Sequence, residues 1–422
     1  MLKAKGVVGV LVGVTVCLSS MAQHSTHSPY TRFGYGELAD RSFAGGRAMG
    51  GTGIGLRSGK QVNVLNPASY TAVDSLTFVF DFGVSAQLSR LRQEDIRQKN
   101  KTGNVEYIAM LFRLFPGVAV SAGLLPFSHV GYRFVGEDQE TGVTSFVGTG
   151  GLTELYGGLS WEPWRKRLSI GVNGGYLFGN ISHQRNVTFS GSSALNMVHT
   201  RYLEIRAFKW EGGIQYSQPL GKGNRLTVGA VYAPGQTPTS GLYEEQQVES
   251  GTVGGYTETD TLGGRFGLPK SYGVGLSFVR DKRLTVSADV RLEEWGKVVF
   301  DKDNLRDRLR MGGGMEYLPD VAGRSFYQRV KYRIGGHYAN SYAAADMGEA
   351  GRHGYREYGV GLGLGLPIRT GYGVDDQRSV INVGVEYVQV RPEWKGMVWE
   401  DYVRLTLNFT FNEMWFYKLK MR

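Results

Sequence analysis

From about residue 76 onward the chain keeps returning to a two-residue rhythm. In Arg404-Leu405-Thr406-Leu407-Asn408-Phe409-Thr410-Phe411 every odd position is apolar and every even one polar. Leu284 to Leu292 and Ser271 to Phe278 obey the same rule. Successive side chains of a strand point to opposite faces, so each segment has one apolar face and one of Gly, Ser, Thr, Asn or charge. A sheet of such strands lies between two unlike solvents, as the wall of an outer-membrane barrel does. The mean hydropathy is slightly negative, which suits a wall that gives lipid only every second residue. After the N-terminal segment no apolar run is long enough for a transmembrane helix.

Strands are predicted near 76–88, 104–115, 117–136, 148–162, 166–190, 199–218, 224–234, 270–280, 283–294, 307–317, 328–338, 354–366, 378–391 and 402–411. That makes about fourteen, an even number as bacterial barrels have. The segment 104–115 alternates worst, and 166–190 and 199–218 exceed what a membrane needs, so they should project beyond it. The connectors tend to alternate between long and short. Ser89 to Gly103, 137–147, 191–198 and 235–269 are expected outer loops; Pro116-Gly117, Pro163-Trp164-Arg165, 219–223 and Asp281-Lys282 are tight. The connectors 318–327 and 367–377 are middling. This parity places the long loops outside and both chain ends in the periplasm. Trp161, Trp164, Trp295, Trp394, Trp399 and Trp415 fall at strand ends or in adjoining connectors, where barrels carry aromatic girdles at headgroup level. The expected fold is all-β, a transmembrane antiparallel β-barrel.

Residues 1–22 read as a secretory signal. Lys3 and Lys5 are followed by an apolar stretch too short to span a bilayer, and Ser20-Met21-Ala22 offers the small-x-small pattern cut between Ala22 and Gln23. The chain's one cysteine, Cys17, lies in that segment, with Val16 instead of the small residue a lipidation site wants. A mature chain without it would have no disulfide, iron–sulfur ligand or cysteine nucleophile. The formal charge is +10, but the cations are scattered through strands and turns rather than gathered in a block, so nucleic acid is not an expected partner.

Residues 23–75 differ from the rest: they alternate poorly and are rich in Gly, Ser, Arg and Asn. They contain Gly45-Gly46-Arg47-Ala48-Met49-Gly50-Gly51-Thr52-Gly53 and then Asn66-Pro67-Ala68-Ser69-Tyr70. Further on come Leu268-Pro269-Lys270-Ser271-Tyr272-Gly273-Val274-Gly275-Leu276-Ser277, the strand Leu284 to Val290 with Glu294-Trp295 after it, and the glycine-rich hairpin Gly359 to Pro367. In order and spacing these segments resemble the long-chain fatty acid transporter (FadL) and OMPP1–toluene porin family of outer-membrane barrels, in the form of a Bacteroidetes-type member. The resemblance implies a fourteen-stranded barrel, residues 76–422, plugged by an N-terminal hatch, residues 23–75. It also implies passive uptake of small hydrophobic molecules that leave sideways through the wall into lipid. Within the hatch, Gly45, Gly46, Gly50, Gly51 and Gly53 suit close packing and positive φ. Asn66, Pro67 and Ala68 would sit against the inner wall, and turn chemistry favours a rigid turn over a direct ligand contact. The chain departs from the family in its outer segments: 235–269 is polar and acidic, so a fatty acid substrate is doubtful.

By the alternation Asp289, Arg291, Arg310, Glu316, Lys331, Arg333, His337, Glu386 and Arg404 point into the lumen. Charges on neighbouring strands can form ladders that brace the barrel and anchor the hatch, or line a hydrated path; bracing is the favoured reading. No cofactor, metal or catalytic site is expected. Gly51-Thr52-Gly53-Ile54-Gly55 lacks the dinucleotide spacing and context, His24 and His27 lack acidic or thiol partners, and the other histidines are dispersed. Asp260-Thr261-Leu262 and Asp74-Ser75-Leu76 resemble the Asp-Ser/Thr-apolar sites that are O-glycosylated in Bacteroides-like bacteria, and only the first lies on an expected outer loop. The leading reading is a FadL-like channel that passes small hydrophobic molecules by diffusion; the alternative is a non-transporting accessory barrel subunit of an outer-membrane complex, with other envelope proteins as partners. A rim enzyme is the weakest option.

Overall fold

The computed structural model describes residues 26–138, 142–164, 166–188, 196–221, 223–237, 239–249, 256–262, 266–300, 305–320, 322–368 and 379–414. The signal segment with Ala22, Gln23 and Cys17, and also His24 and Trp415, lie outside them.

Fourteen antiparallel strands close into one barrel. In chain order they are β1 (Thr77–Gln93), β2 (Ile96–Phe115), β3 (Val118–Asp138), β4 (Gly142–Trp164), β5 (Leu168–Thr188), β6 (Asn196–Gly221) and β7 (Asn224–Ala233). Then come β8 (Ser271–Arg280), β9 (Leu284–Glu293), β10 (Arg308–Tyr317), β11 (Lys331–Asn340), β12 (Tyr355–Ile368), β13 (Ser379–Pro392) and β14 (Trp399–Met414). β14 pairs with β1 along its length, from Trp399 opposite Arg92 to Met414 opposite Thr77, so no sheet edge is left there. The alternation forms the wall as expected. Phe78, Phe80 and Phe82 of β1, Val360, Leu362 and Leu364 of β12, and Val403 and Leu405 of β14 point outward, while Asp81, Ser85 and Gln87 point inward and are buried.

The wall is uneven in height. β7 to β11 have 10 residues each, about what a bilayer requires, whereas β1 to β6 have 17 to 26. The excess lies at the end opposite the tight turns, here termed the far end. The expected outer loop Ser89 to Gly103 is therefore not a loop: β1 and β2 run on through it to a two-residue turn, with Glu94 at φ +50°. Water bathes both faces beyond the membrane, so a strand there can be polar throughout and its alternation vanishes. Residues 137–147 are likewise mostly strand. In 235–269 the strands Thr239–Glu249 and Tyr256–Leu262 form a hairpin that pairs with the far half of β6, from Arg206 opposite Thr239 to Asn196 opposite Glu249. Thr261 is thus in a strand, opposite Tyr243, rather than in an open loop.

The tryptophans divide. Trp161 and Trp164 stand outward at the near end, with Trp164 beside Tyr216, and at the far end Tyr232 faces Tyr272 and Tyr338 faces Tyr358. Trp295 does not join a girdle. It is fully buried inside the far end against Tyr35 and Tyr342, with its indole N–H donating to Glu293 (3.0 Å). The connector it occupies folds inward over the short strands, so this ring closes a core instead of facing lipid.

Candidate functional site: the filled lumen and its seam

Residues 26–76 run down the inside of the barrel. Thr31 hydrogen-bonds Gly131 of β3 (3.2 Å) and Tyr30 donates to the Val398 carbonyl, both in the far half. Glu37 and Leu38 form a short strand against His129 and Ser128 of β3. The glycine stretch then crosses the lumen. Gly50 has φ +74°, and a Cβ there would fall 2.2 Å from the Gly336 carbonyl oxygen and 2.7 Å from that of Gly313. Only glycine lets this backbone lie directly on β10 and β11. Gly51 shares the positive φ, Gly53 donates to Asp289, and Gly45 and Gly46 belong to the helical turn Ala44–Arg47.

Asn66 is fully buried and works as a turn residue. Its side chain accepts from Ala68 N–H (3.1 Å) and donates to the carbonyls of Ile54 (2.9 Å) and Ile214 (3.2 Å). Pro67 starts the 3-10 turn Pro67–Ala72, which packs on β5 and β6: a Cβ on Gly171 would strike the Pro67 carbonyl carbon at 2.5 Å.

The lumen charges pair with one another and with the hatch. Asp289 accepts from the N–H groups of Gly53 (2.5 Å) and Ile54 (2.7 Å). Arg310 reaches Asp40 at 2.7 Å, and Arg291 bonds Glu211, which also holds Arg41 at 3.1 Å. Glu316 bridges Lys331 (3.1 Å) and Arg333 (2.7 Å), and Arg333 continues to Asn382. Arg404 touches Glu37 (3.5 Å), Glu386 (3.9 Å) and Gln87 (2.9 Å), and His337 lies between Glu357 (2.8 Å) and Glu386 (3.4 Å). Burial works against a charge on Asp40, yet the guanidiniums of Arg310 and Arg47 and the bonds from Ser42 hold its carboxyl well below the ordinary range.

Several members of this network were not singled out from the sequence. Glu106, Glu154, Lys209 and Glu211 are inward residues of the tall strands, and Arg47 pairs with Glu106 (2.8 Å) while Lys209 pairs with Glu154 (2.7 Å). Low in the barrel, Arg57 meets Glu162 (2.7 Å). The same alternation rule, carried to β4 and β6, would have found three of them. The hatch partners Glu37, Asp40, Arg41, Arg47 and Arg57 carry no periodic signal.

Between hatch and wall the voids measure about 20, 30, 60 and 90 Å³ and have charged linings, enough for a few waters each. A larger cavity of about 380 Å³ opens at the far end, lined by Phe33, Phe146, Leu203, Phe266 and Phe300 together with Arg32, Arg185, Arg201, His183 and His199; Arg32 and Arg185 both lie over the Phe146 ring.

The wall also has a seam. β2 and β3 pair only from Phe115 opposite Val118 up to Ile108 opposite Leu124. Farther out β2 pairs with β1 alone, and β3 takes the hatch strand Glu37–Leu38, with Ala39 N–H donating to the Phe127 carbonyl (2.9 Å). The void behind the seam is lined by Glu37, Asp40, Glu106, His129, Arg310 and Arg404 among others. Among the described residues no group of three or more His, Cys, Asp or Glu is placed to hold a metal.

A family model described as BamG matches residues 1–422. No curated protein matches the chain. Among solved structures, a Pseudomonas aeruginosa FadL homologue superposes with a TM-score of 0.60 at 10% identity, over 89% of this chain and 99% of that one. The Ralstonia pickettii toluene transporter TbuX gives 0.57 at 14%, over 87% and 98%, and the Pseudomonas putida toluene transporter TodX 0.56 at 16%, over 91% and 100%. At such identities the likeness is one of fold: a FadL-type barrel with its lumen filled from the N-terminal side of the chain.

Proposed function

Since this chain belongs to the BamG family and combines a FadL-type barrel with a lumen closed by buried charge, we propose that it is a non-transporting accessory subunit of an outer-membrane assembly. In this reading the barrel is an anchor in the membrane, the hatch is a fixed plug, and the tall far-end wall of β1 to β6 is what other envelope proteins grip. Both the periplasmic near end and the exposed far end follow from the parity of the turns. The carrying observation is the tie between hatch and wall: Glu37, Asp40, Arg41, Arg47 and Arg57 each meet an opposite charge on a strand. Pulling the hatch away would break all five pairs; Glu211 would keep Arg291 and Arg404 would keep Glu386, while Arg310, Glu106 and Glu162 would lose the hatch partners named above.

A second reading is favoured by the seam between β2 and β3 and by the far-end cavity: uptake of small hydrophobic molecules, as in the toluene transporters TodX and TbuX. Reconstitution decides between the two. In liposomes the intact barrel is expected to pass no hydrophobic probe, while removal of the hatch opens a leak, and the barrel co-purifies from membranes with other envelope proteins in stable ratio. Saturable flux through the intact barrel, without co-purifying partners, would sink the accessory reading.

A further inference from the structure

At the far end of the wall, just beyond the apolar band, cations gather on the outward faces of β12, β13, β1 and β2, with Trp399 and Asp401 of β14 between them. On β1 the outward residues run Phe78, Phe80, Phe82, Val84, Ala86, Leu88 and then Arg90 and Arg92. On β2 Val105 gives way to Lys101, Lys99 and Arg97, all exposed. The register lays them side by side: Arg92 faces Arg97, Arg90 faces Lys99, and Leu88 faces Lys101. Across the barrel closure Trp399 faces Arg92 and Asp401 faces Arg90. Next to β14, Arg391 of β13 faces Arg356 of β12.

Like charges directly opposite each other destabilise a sheet, and three such pairs stand here in neighbouring rows. The acids within reach are few. Arg391 takes Asp401 (2.6 Å), and Arg356 lies 3.9 Å from Glu393. The Trp399 ring is flanked by two guanidiniums, Arg92 at 5.3 Å and Arg391 at 5.1 Å, which fixes both forks at the wall surface. Arg206, outward in the far half of β6, by contrast has a counter-charge in the wall, Glu204 at 2.5 Å. The next row toward the near end runs Val360, Tyr387, Val403 and Leu88 before it reaches Lys101, so the cations lie where hydrocarbon ends and headgroups begin.

We propose that this stripe binds the phosphate groups of the lipids that meet the wall at its far end. Phosphate suits it because forked guanidiniums take two of its oxygens at once, and because one anion between two opposed cations removes the repulsion that the sheet otherwise carries. Each such contact also gains from the negative surface of an anionic leaflet. The site rests on the reading as an outer-membrane barrel and adds a lipid class to it.

The test uses the full-length protein inserted into vesicles of phosphatidylcholine that contain either a bisphosphorylated glycolipid or its dephosphorylated form, with insertion checked by heat-dependent migration. Lipid retained after detergent extraction and repurification is measured by mass spectrometry. The wild type is expected to retain the phosphorylated form at least tenfold over the dephosphorylated one. The triple substitution R92Q/R97Q/K99Q abolishes the preference, and R280Q/K282Q at the near end leaves it intact. Inorganic phosphate that fails to displace the lipid marks the site as a lipid site; displacement at low millimolar phosphate would overturn the lipid assignment. Insertion without preference, or a preference that survives in the triple variant, overturns the site alone. Failure of the wild type to insert overturns the membrane reading with it.

Discussion

Asp40 shows how a single residue holds hatch and wall together. It lies within reach of Arg310 of β10 and of Arg47 of its own segment, at 2.7 and 3.9 Å. Substitution Asp40→Asn leaves two buried guanidiniums short of a counter-charge and is expected to lower stability by about 3–5 kcal/mol, read as a lower denaturation midpoint in detergent. The wild type should follow pH in the same terms. The folded carboxyl titrates below its ordinary value of 3.8, so its contribution is complete above about pH 4 and is lost as pH falls through the folded value. Asp40→Asn should flatten that acid limb. Gly50 tests packing instead of charge. Gly50→Ala must place a methyl within 2.2 Å of a β11 carbonyl while keeping φ positive, so the hatch has to lift. Limited proteolysis should cut between residues 40 and 60 in the variant and spare the wild type; equal resistance would mean that the glycine is not needed there.

At the scale of elements the seam separates the two functional readings. Leu38 of the hatch lies opposite Ser128 of β3, a spacing that a disulfide can bridge, and the only native cysteine is Cys17. Leu38→Cys/Ser128→Cys should oxidise readily and leave partner co-purification unchanged, since a fixed plug has no need to move. Loss of a measurable flux on oxidation, restored by reductant, would instead mark the hatch strand as a gate. The strands themselves were legible because a wall between lipid and a polar lumen writes its period into every second residue. The same rule turned Asp289, Arg291, Arg310 and Arg404 inward, where the structure has them. The seam was not legible, because which backbone pairs with which is a non-local choice, and β2 alternates as a strand whether or not β3 is beside it. The long strands β1 and β2 were hidden for another reason: above the membrane both faces meet water, and residues such as Arg90 and Lys99 look like a charged loop. Trp295 misled because a tryptophan after a strand end fits a lipid girdle and a buried cap equally well, and the fold of the connector decides.

At the scale of the whole molecule the asymmetry matters most. One half of the barrel barely crosses a membrane, and the other rises beyond it as a tall curved sheet, with the 239–262 hairpin leaning on β6. A pore gains little from such a wall, whereas a platform for other proteins gains surface and leverage, and the far stretch of β2 that pairs with β1 and not with β3 adds to that surface. All of this depends on which end faces outward, and two positions settle it. Ile96, at the tip of β1–β2, is 74% exposed, and the Arg280 side chain, at the opposite end of the wall, 67%. Cys17 is the one native cysteine, so in a Cys17→Ser background Ile96→Cys and Arg280→Cys each give a single thiol. In intact cells a membrane-impermeant maleimide is expected to label Ile96→Cys at once and Arg280→Cys only after the outer membrane is permeabilised. The reverse order would turn the barrel over, place the tall wall in the periplasm, and move the search for partners to the inner side of the membrane.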